Sequence, residues 1–151
     1  MKRISKHISY KEAVGSNYAK QKGIKNKPNE EQVENMKLLA EKVFEPLREW
    51  VGCPIRVNSM FRSQELNSAI KGSSTSSHMK GEAMDITRMA CGKENCKSNL
   101  DMFHWIKDNL EFDQLIWEFG SEPKWLHVSY NKDNNRKQVL VTKKRGVYYT
   151  Y

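Results

Sequence analysis

"FDQLIWEFGSEPKWLHVSY", residues 112–130, holds two runs of alternating apolar and polar side chains separated by turn-forming residues. That pattern predicts a β-hairpin. A four-residue loop of Ser121, Glu122, Pro123 and Lys124 sets Gly120 opposite Trp125, Phe119 opposite Leu126 and Glu118 opposite His127. Directly opposed residues of an antiparallel pair share a face, with Cβ atoms about 5 Å apart. Leu115, Trp117, Phe119, Leu126 and Val128 then form one face, suited to a core, and Glu118 and His127 come together on the other.

Further strand-like runs span residues 55–61, 83–87 and 138–143. The strongest helical signal covers residues 30–50, where Val33, Met36, Ala40, Val43, Leu47 and Trp50 recur at three- and four-residue steps. Asn29 with Gln32 predicts a capping box at its start, and Pro46 predicts a kink in its last turns. A short helix is expected over residues 63–70, capped by Ser63 and stopped by Gly72. Another is expected over 99–110, with Leu100, Phe103, Ile106 and Leu110 on one face. This order predicts an α+β fold, a largely antiparallel sheet with helices on one side. No repeat or low-complexity linker divides the 151 residues, so a single domain, 1–151, is expected, and a monomer.

Such a chain buries about 70% of its unfolded surface on folding and needs no covalent staples. The three cysteines, Cys53, Cys91 and Cys96, are too few for a disulfide framework and point to a reducing site of synthesis. Cys91 and Cys96 can still pair, or ligate a metal as C-x4-C, although that spacing departs from the usual C-x2-C. After Met1-Lys2-Arg3 no apolar stretch suits a signal peptide, and no run is long enough for a transmembrane segment. Synthesis in the cytoplasm is therefore expected. A net charge of +8 favours anionic partners, among them nucleic acid, membrane surfaces and bacterial wall polymers. "RKQVLVTKKRGVYYTY", residues 136–151, interleaves basic and aromatic residues, yet it carries no nucleic-acid-binding motif and reads equally as a final strand with a solvated face; no nucleic-acid partner is expected.

A second stretch, "SSHMKGEAMDI" at residues 76–86, places His78 in a loop of small residues seven positions before Asp85, with Gly81 suited to the turn between them. His78, Asp85 and His127 together make two imidazoles and one carboxylate. That set holds a catalytic zinc with a fourth position open to a water, whose pKa the metal lowers to about 7. Glu118 would be the base that takes the proton as this zinc-bound water attacks a carbonyl.

Residues 59–86, "SMFRSQELNSAIKGSSTSSHMKGEAMDI", together with "FDQLIWE" and "WLHVSY", closely resemble the zinc D-alanyl-D-alanine carboxypeptidases and L-alanyl-D-glutamate endopeptidases. The family pattern S-x-H-x-x-G-x-A-x-D is matched by Ser76, His78, Gly81, Ala83 and Asp85, and W-x-H-V by Trp125, His127 and Val128. "ISYKEAVGSNYAKQKGIKNKP" and "LAEKVFEPLREWVGCPIRVNS" look like the small single-domain members found in phages and prophages.

The resemblance implies a fold shared with lysostaphin-type peptidases and the hedgehog signalling domain, one zinc per chain on the sheet face, and peptidoglycan stem peptides as substrate. It matches Arg62 to an arginine that polarises the scissile carbonyl or holds a substrate carboxylate, and Ser76 to a serine near the substrate. A cap or surface ion pair for Arg62, and a loop brace for Ser76, remain alternatives. The sequence departs at Lys124, where several relatives carry the catalytic acid. Glu118 from the neighbouring strand, Glu122 from the loop, or a site that binds zinc without turnover are the options this leaves. The implied protein is a phage or prophage lysin that reaches the cell wall by a phage-encoded release route or in a virion; the alternative is a catalytically silent zinc-containing binding module or virion component.

Overall fold

The computed structural model describes residues 2–151. A small antiparallel pair, β1 (Arg3–Ser5) and β2 (Ile8–Ser9), is followed by α1 (Tyr10–Ala13) and α2 (Asn17–Lys22). Next come α3 (Glu30–Leu39), a π-helical turn (Ala40–Phe44), α4 (Glu45–Val51), β3 (Ile55–Ser59) and α5 (Gln64–Ala69). A 3-10 turn (Ser77–Lys80) leads into β4 (Ala83–Arg88), and then follow α6 (Asn99–Asn109), β5 (Gln114–Glu118), β6 (Trp125–Ser129), β7 (Gln138–Lys144) and β8 (Val147–Thr150). The main sheet has the order β3-β4-β6-β5-β7-β8. Every neighbouring pair in it is antiparallel except β5 and β7. The α+β expectation with a largely antiparallel sheet therefore holds.

The alternation along the central strands decides which face is dry. Met84 and Leu115 both pair with Val128, and Ile86 and Trp117 both pair with Leu126. Of these, Met84, Ile86, Leu115, Leu126 and Val128 are fully buried. They join Met36, Leu39, Val43 and Leu47 of the long helical segment and Met102, Phe103 and Ile106 of α6 in one core. Each such buried side chain contributes about 1.5–3 kcal/mol, so the helix-packed face is the fold's main source of stability. The opposite face carries the intervening residues, Asp85, Ile116 and His127, as a row across three strands.

The expected capping box of Asn29 and Gln32 is present, with reciprocal bonds of 2.8 Å. Pro46 interrupts the long helix. It has no N–H to give the Lys42 carbonyl and its ring crowds that oxygen, and the ladder widens to π over Ala40–Phe44, immediately before it. Gly72 does not end α5. The left-handed residue there is Lys71 (φ 60), while Gly72 leaves room for Asn67, whose Oδ1 would lie 2.2 Å from an added Cβ. Cys91 and Cys96 are joined by a disulfide, and Cys53 is buried and free.

The hairpin register differs from the expected one by two residues. Glu118 pairs with Trp125 and Ile116 with His127, so the connection is six residues long, 119–124. Phe119 (φ 63) and Gly120 (φ 81) are both left-handed, and the chain leaves the strand at Phe119. The Lys124 N–H closes the loop on the Glu118 carbonyl at 3.0 Å. Phe119 is thereby removed from the core face; it packs instead against Trp125, ring centroids 5.4 Å apart. Because side chains alternate with period two, a shift of two preserves faces. Glu118 and His127 stay on the same side as diagonal neighbours.

Candidate active site

The polar face of the sheet forms the floor of an open cavity of about 640 Å³. Arg62, His78, Asp85, Glu118 and His127 all line it. Ser76 does as well, whereas Glu122 and Lys124 do not.

His78 is held by its surroundings before any ligand arrives. The Ser76 hydroxyl caps the 3-10 turn, accepting the His78 N–H at 3.3 Å. Gly81 (φ 74) ends that turn and passes so close to α3 that an added Cβ would lie 2.3 Å from the Gln32 carbonyl oxygen. Gln32 Nε2 and Asn35 Nδ2, also on α3, donate to the Met79 and Lys80 carbonyls at 3.1 and 2.9 Å. The imidazole is buried, and its Nδ1 lies 2.7 Å from the Met60 carbonyl.

A carbonyl can only accept, so Met60 fixes the proton of a neutral His78 on Nδ1 and leaves a lone pair on Nε2. Burial favours that neutral form, holding the His78 pKa below its ordinary value. Nε2 then faces Asp85 Oδ1 at 3.3 Å, and the same oxygen lies 3.1 Å from His127 Nδ1. The three atoms fall within 4.8 Å of one another. Lone pairs of Nε2 and a carboxylate oxygen turned toward each other are mutually repulsive unless a proton or cation lies between them. The donor set therefore fits a zinc ion. For Asp85 burial alone would raise the pKa, but positive charge on the imidazole side of the carboxylate holds it far below its ordinary range.

Arg62 lies behind Asp85. Its Nη2 is 3.4 Å from Asp85 Oδ2, Nε donates to Ser59 Oγ at 3.2 Å and Nη1 to Asn67 Oδ1 at 3.2 Å. Three of its five N–H groups are thus used, and one each on Nη1 and Nη2 stays available toward the cavity. Neither a helix cap nor a surface pair describes it; it is a largely buried cation tied to the central carboxylate.

Glu118 projects from the end of β5 beside Thr142, its partner on β7. Burial is the main reason its pKa is pushed up to about 7; Asp85 adds to the rise and His127 opposes it. Such a carboxyl can change protonation state near neutral pH, which general acid–base work requires.

Sequence reasoning missed the far wall of the cavity. Leu140, Thr142, Arg145, Gly146 and Tyr148, all from the β7–β8 hairpin, line it. The readable signal was Gly146 between two apolar-basic runs, a two-residue turn closed by a positive φ of 81°. A comparison with curated proteins found no match. The family model described as Peptidase M15 matches residues 6–129, from the turn between β1 and β2 to the last residue of β6, and takes in every residue of the His78, Asp85 and His127 cluster. The chain belongs to the peptidase M15 family of zinc peptidases.

Proposed function

We propose that this protein hydrolyses an amide bond in the stem peptides of peptidoglycan, with His78 Nε2, Asp85 Oδ1 and His127 Nδ1 holding one zinc ion. The observation that carries the reading is the convergence of these three acceptors beneath an open cavity that also contains a carboxyl poised near neutrality. Zinc at this site would supply a Lewis acid that polarises a carbonyl and lowers the pKa of a water molecule. Met60 orients His78, and Arg62 holds Asp85 while directing its spare N–H groups at the scissile carbonyl, where a fixed cation stabilises developing negative charge. Glu118 accepts the proton of the attacking water and returns it to the leaving nitrogen. Ser76 braces the loop of His78 and borders the substrate. A net charge of +8 suits an enzyme that works on an anionic wall. The resemblance of its N-terminal third to phage and prophage members supports a lysin, released by a phage route or carried in a virion.

One observation favours a second reading, a zinc-holding binding module without turnover: Lys124 stands where several relatives carry their acid, and it does not line the cavity. Glu118→Gln separates the two. It keeps the shape, the fold and the zinc, and should lose about 10²- to 10⁴-fold in turnover on peptidoglycan. Glu122→Gln should behave as wild type. Zinc-loaded wild-type protein with no turnover would support the binding module, and an active Glu118→Gln would remove Glu118 from the mechanism.

A further inference from the structure

The β7–β8 hairpin lies wholly beyond residue 129, outside the segment matched by the family, and yet it builds one wall of the cavity. Two of its side chains have no structural task that explains them. Arg145 is exposed at the hairpin tip, and among the described residues it makes a single long hydrogen bond, 3.4 Å from Nη2 to the Lys71 carbonyl. No carboxylate pairs with it among the described residues. Its neighbour Lys143, by contrast, is engaged with the Gly120 carbonyl and lies over the Trp117 ring. Arg145 thus holds a planar fork of donors over a binding cleft with most of them unused.

Tyr148 is the second. In β8 it alternates with Tyr149, which pairs with Val141, so Tyr148 shares the face of Thr142 and Glu118. It is half exposed to solvent and borders the cavity. Burial, and then the charges of Glu118 and Asp85, push its phenol up, so it remains a hydrogen-bond donor throughout the neutral range. Opposite the hairpin, the loop of Ser73, Thr75, Ser76 and Ser77 adds hydroxyls. An arginine fork, a phenol donor and serine or threonine hydroxyls facing one space are the complement of a carboxylate.

Resting on the peptidase reading above, we infer that Arg145 and Tyr148 form a carboxylate-binding subsite, so that this enzyme selects peptides with a free carboxylate on the hairpin side of the scissile bond. The Lys71 carbonyl holds the Arg145 guanidinium in place until the substrate carboxylate, a stronger acceptor, replaces it. Both residues are specificity-determining, and the chemistry at the bond is left to the sheet.

The test uses the zinc-loaded full chain and a synthetic stem pentapeptide, L-Ala-γ-D-Glu-L-Lys-D-Ala-D-Ala. Two analogues are compared with it, one with the glutamate α-carboxylate and one with the C-terminal carboxylate converted to carboxamide. In the wild type one of the two amidations should lower kcat/KM by about tenfold or more, the scale of a lost charge-assisted hydrogen bond. In Arg145→Ala that discrimination should vanish because the rate on the free-carboxylate peptide falls toward that on the amidated one, with zinc content retained. Tyr148→Phe should lose part of it. Equal cleavage of all three peptides by the wild type, or full discrimination in Arg145→Ala, overturns the subsite and leaves the peptidase reading intact. An Arg145→Ala protein that loses all three peptides equally also overturns it, because the residue then acts on the cleft as a whole. Full discrimination in Tyr148→Phe removes the tyrosine from the subsite. A zinc-loaded wild type that cuts neither these peptides nor peptidoglycan defeats the peptidase reading itself, and the subsite with it.

Discussion

At the scale of single residues, the account depends on three acceptors having no spare. Replacing His78, Asp85 or His127 with alanine leaves two ligands, and each variant should lose most of its zinc, measured by elemental analysis after dialysis. Full zinc in a His78→Ala/His127→Ala protein would put the metal elsewhere. Arg62→Lys keeps a positive charge but cannot bond Asp85, Asn67 and Ser59 while still facing the substrate; turnover should fall at least about tenfold with zinc retained. Glu118 gives a titration with a definite sign. In the metal-free protein its side-chain carboxyl should titrate near 7 by carbon NMR, and a divalent cation beside it should lower that value. Its folded pKa exceeds the ordinary 4.5, so its neutral form favours the fold. The stability it lends is complete below pH 4.5 and is lost as pH rises through about 7. Relative to Glu118→Gln, metal-free wild type should therefore weaken over that window in denaturant titrations; parallel curves would show that Glu118 is not desolvated.

At the scale of elements, much was legible because period and capping are local. The Asn29–Gln32 capping box, the core stripe of the long helix and the faces of the central strands all follow from residue spacing alone. The hairpin register was not legible, because it is set by Phe119 and Gly120 adopting left-handed conformations, and a phenylalanine gives no sequence signal for that. Glu118 keeps the face of His127 since the error was even: a shift of one would have turned it into the core. α1 and α2, four and six residues long, are too short for periodicity to reveal. The contact between Gly81 and α3 joins elements far apart in sequence and yields a prediction. Gly81→Ala costs about 1–2 kcal/mol for the left-handed backbone alone, and its Cβ must also displace the Gln32 carbonyl. The protein should melt at lower temperature and bind zinc more weakly, as the His78 turn moves away from Asp85. Unchanged zinc affinity would show that α3 does not position the ligand.

At the scale of the whole molecule, the sheet divides the labour. One face, closed by the helices, supplies stability; the other, left open, carries the His78, Asp85 and His127 cluster; and the C-terminal hairpin extends that open face beyond the family's matched segment. The ligand cluster was legible because His78, Asp85 and His127 fall in two short motifs. The hairpin wall was not, because its basic and aromatic residues have meaning only once β8 folds against β7. Among the described residues no helix is long and apolar enough to cross a membrane. The charged residues lining the cleft balance, Arg62 and Arg145 against Asp85 and Glu118, so binding to whole wall material should weaken steeply as salt rises and hydrolysis of a small stem peptide less so. The most direct measurement is digestion of purified peptidoglycan by the zinc-loaded protein, with fragments identified by mass spectrometry. New ends should appear at one amide of the stem peptide, disappear when the metal is chelated and return when zinc is restored. A protein that carries one zinc per chain yet releases no fragment from peptidoglycan would contradict the account.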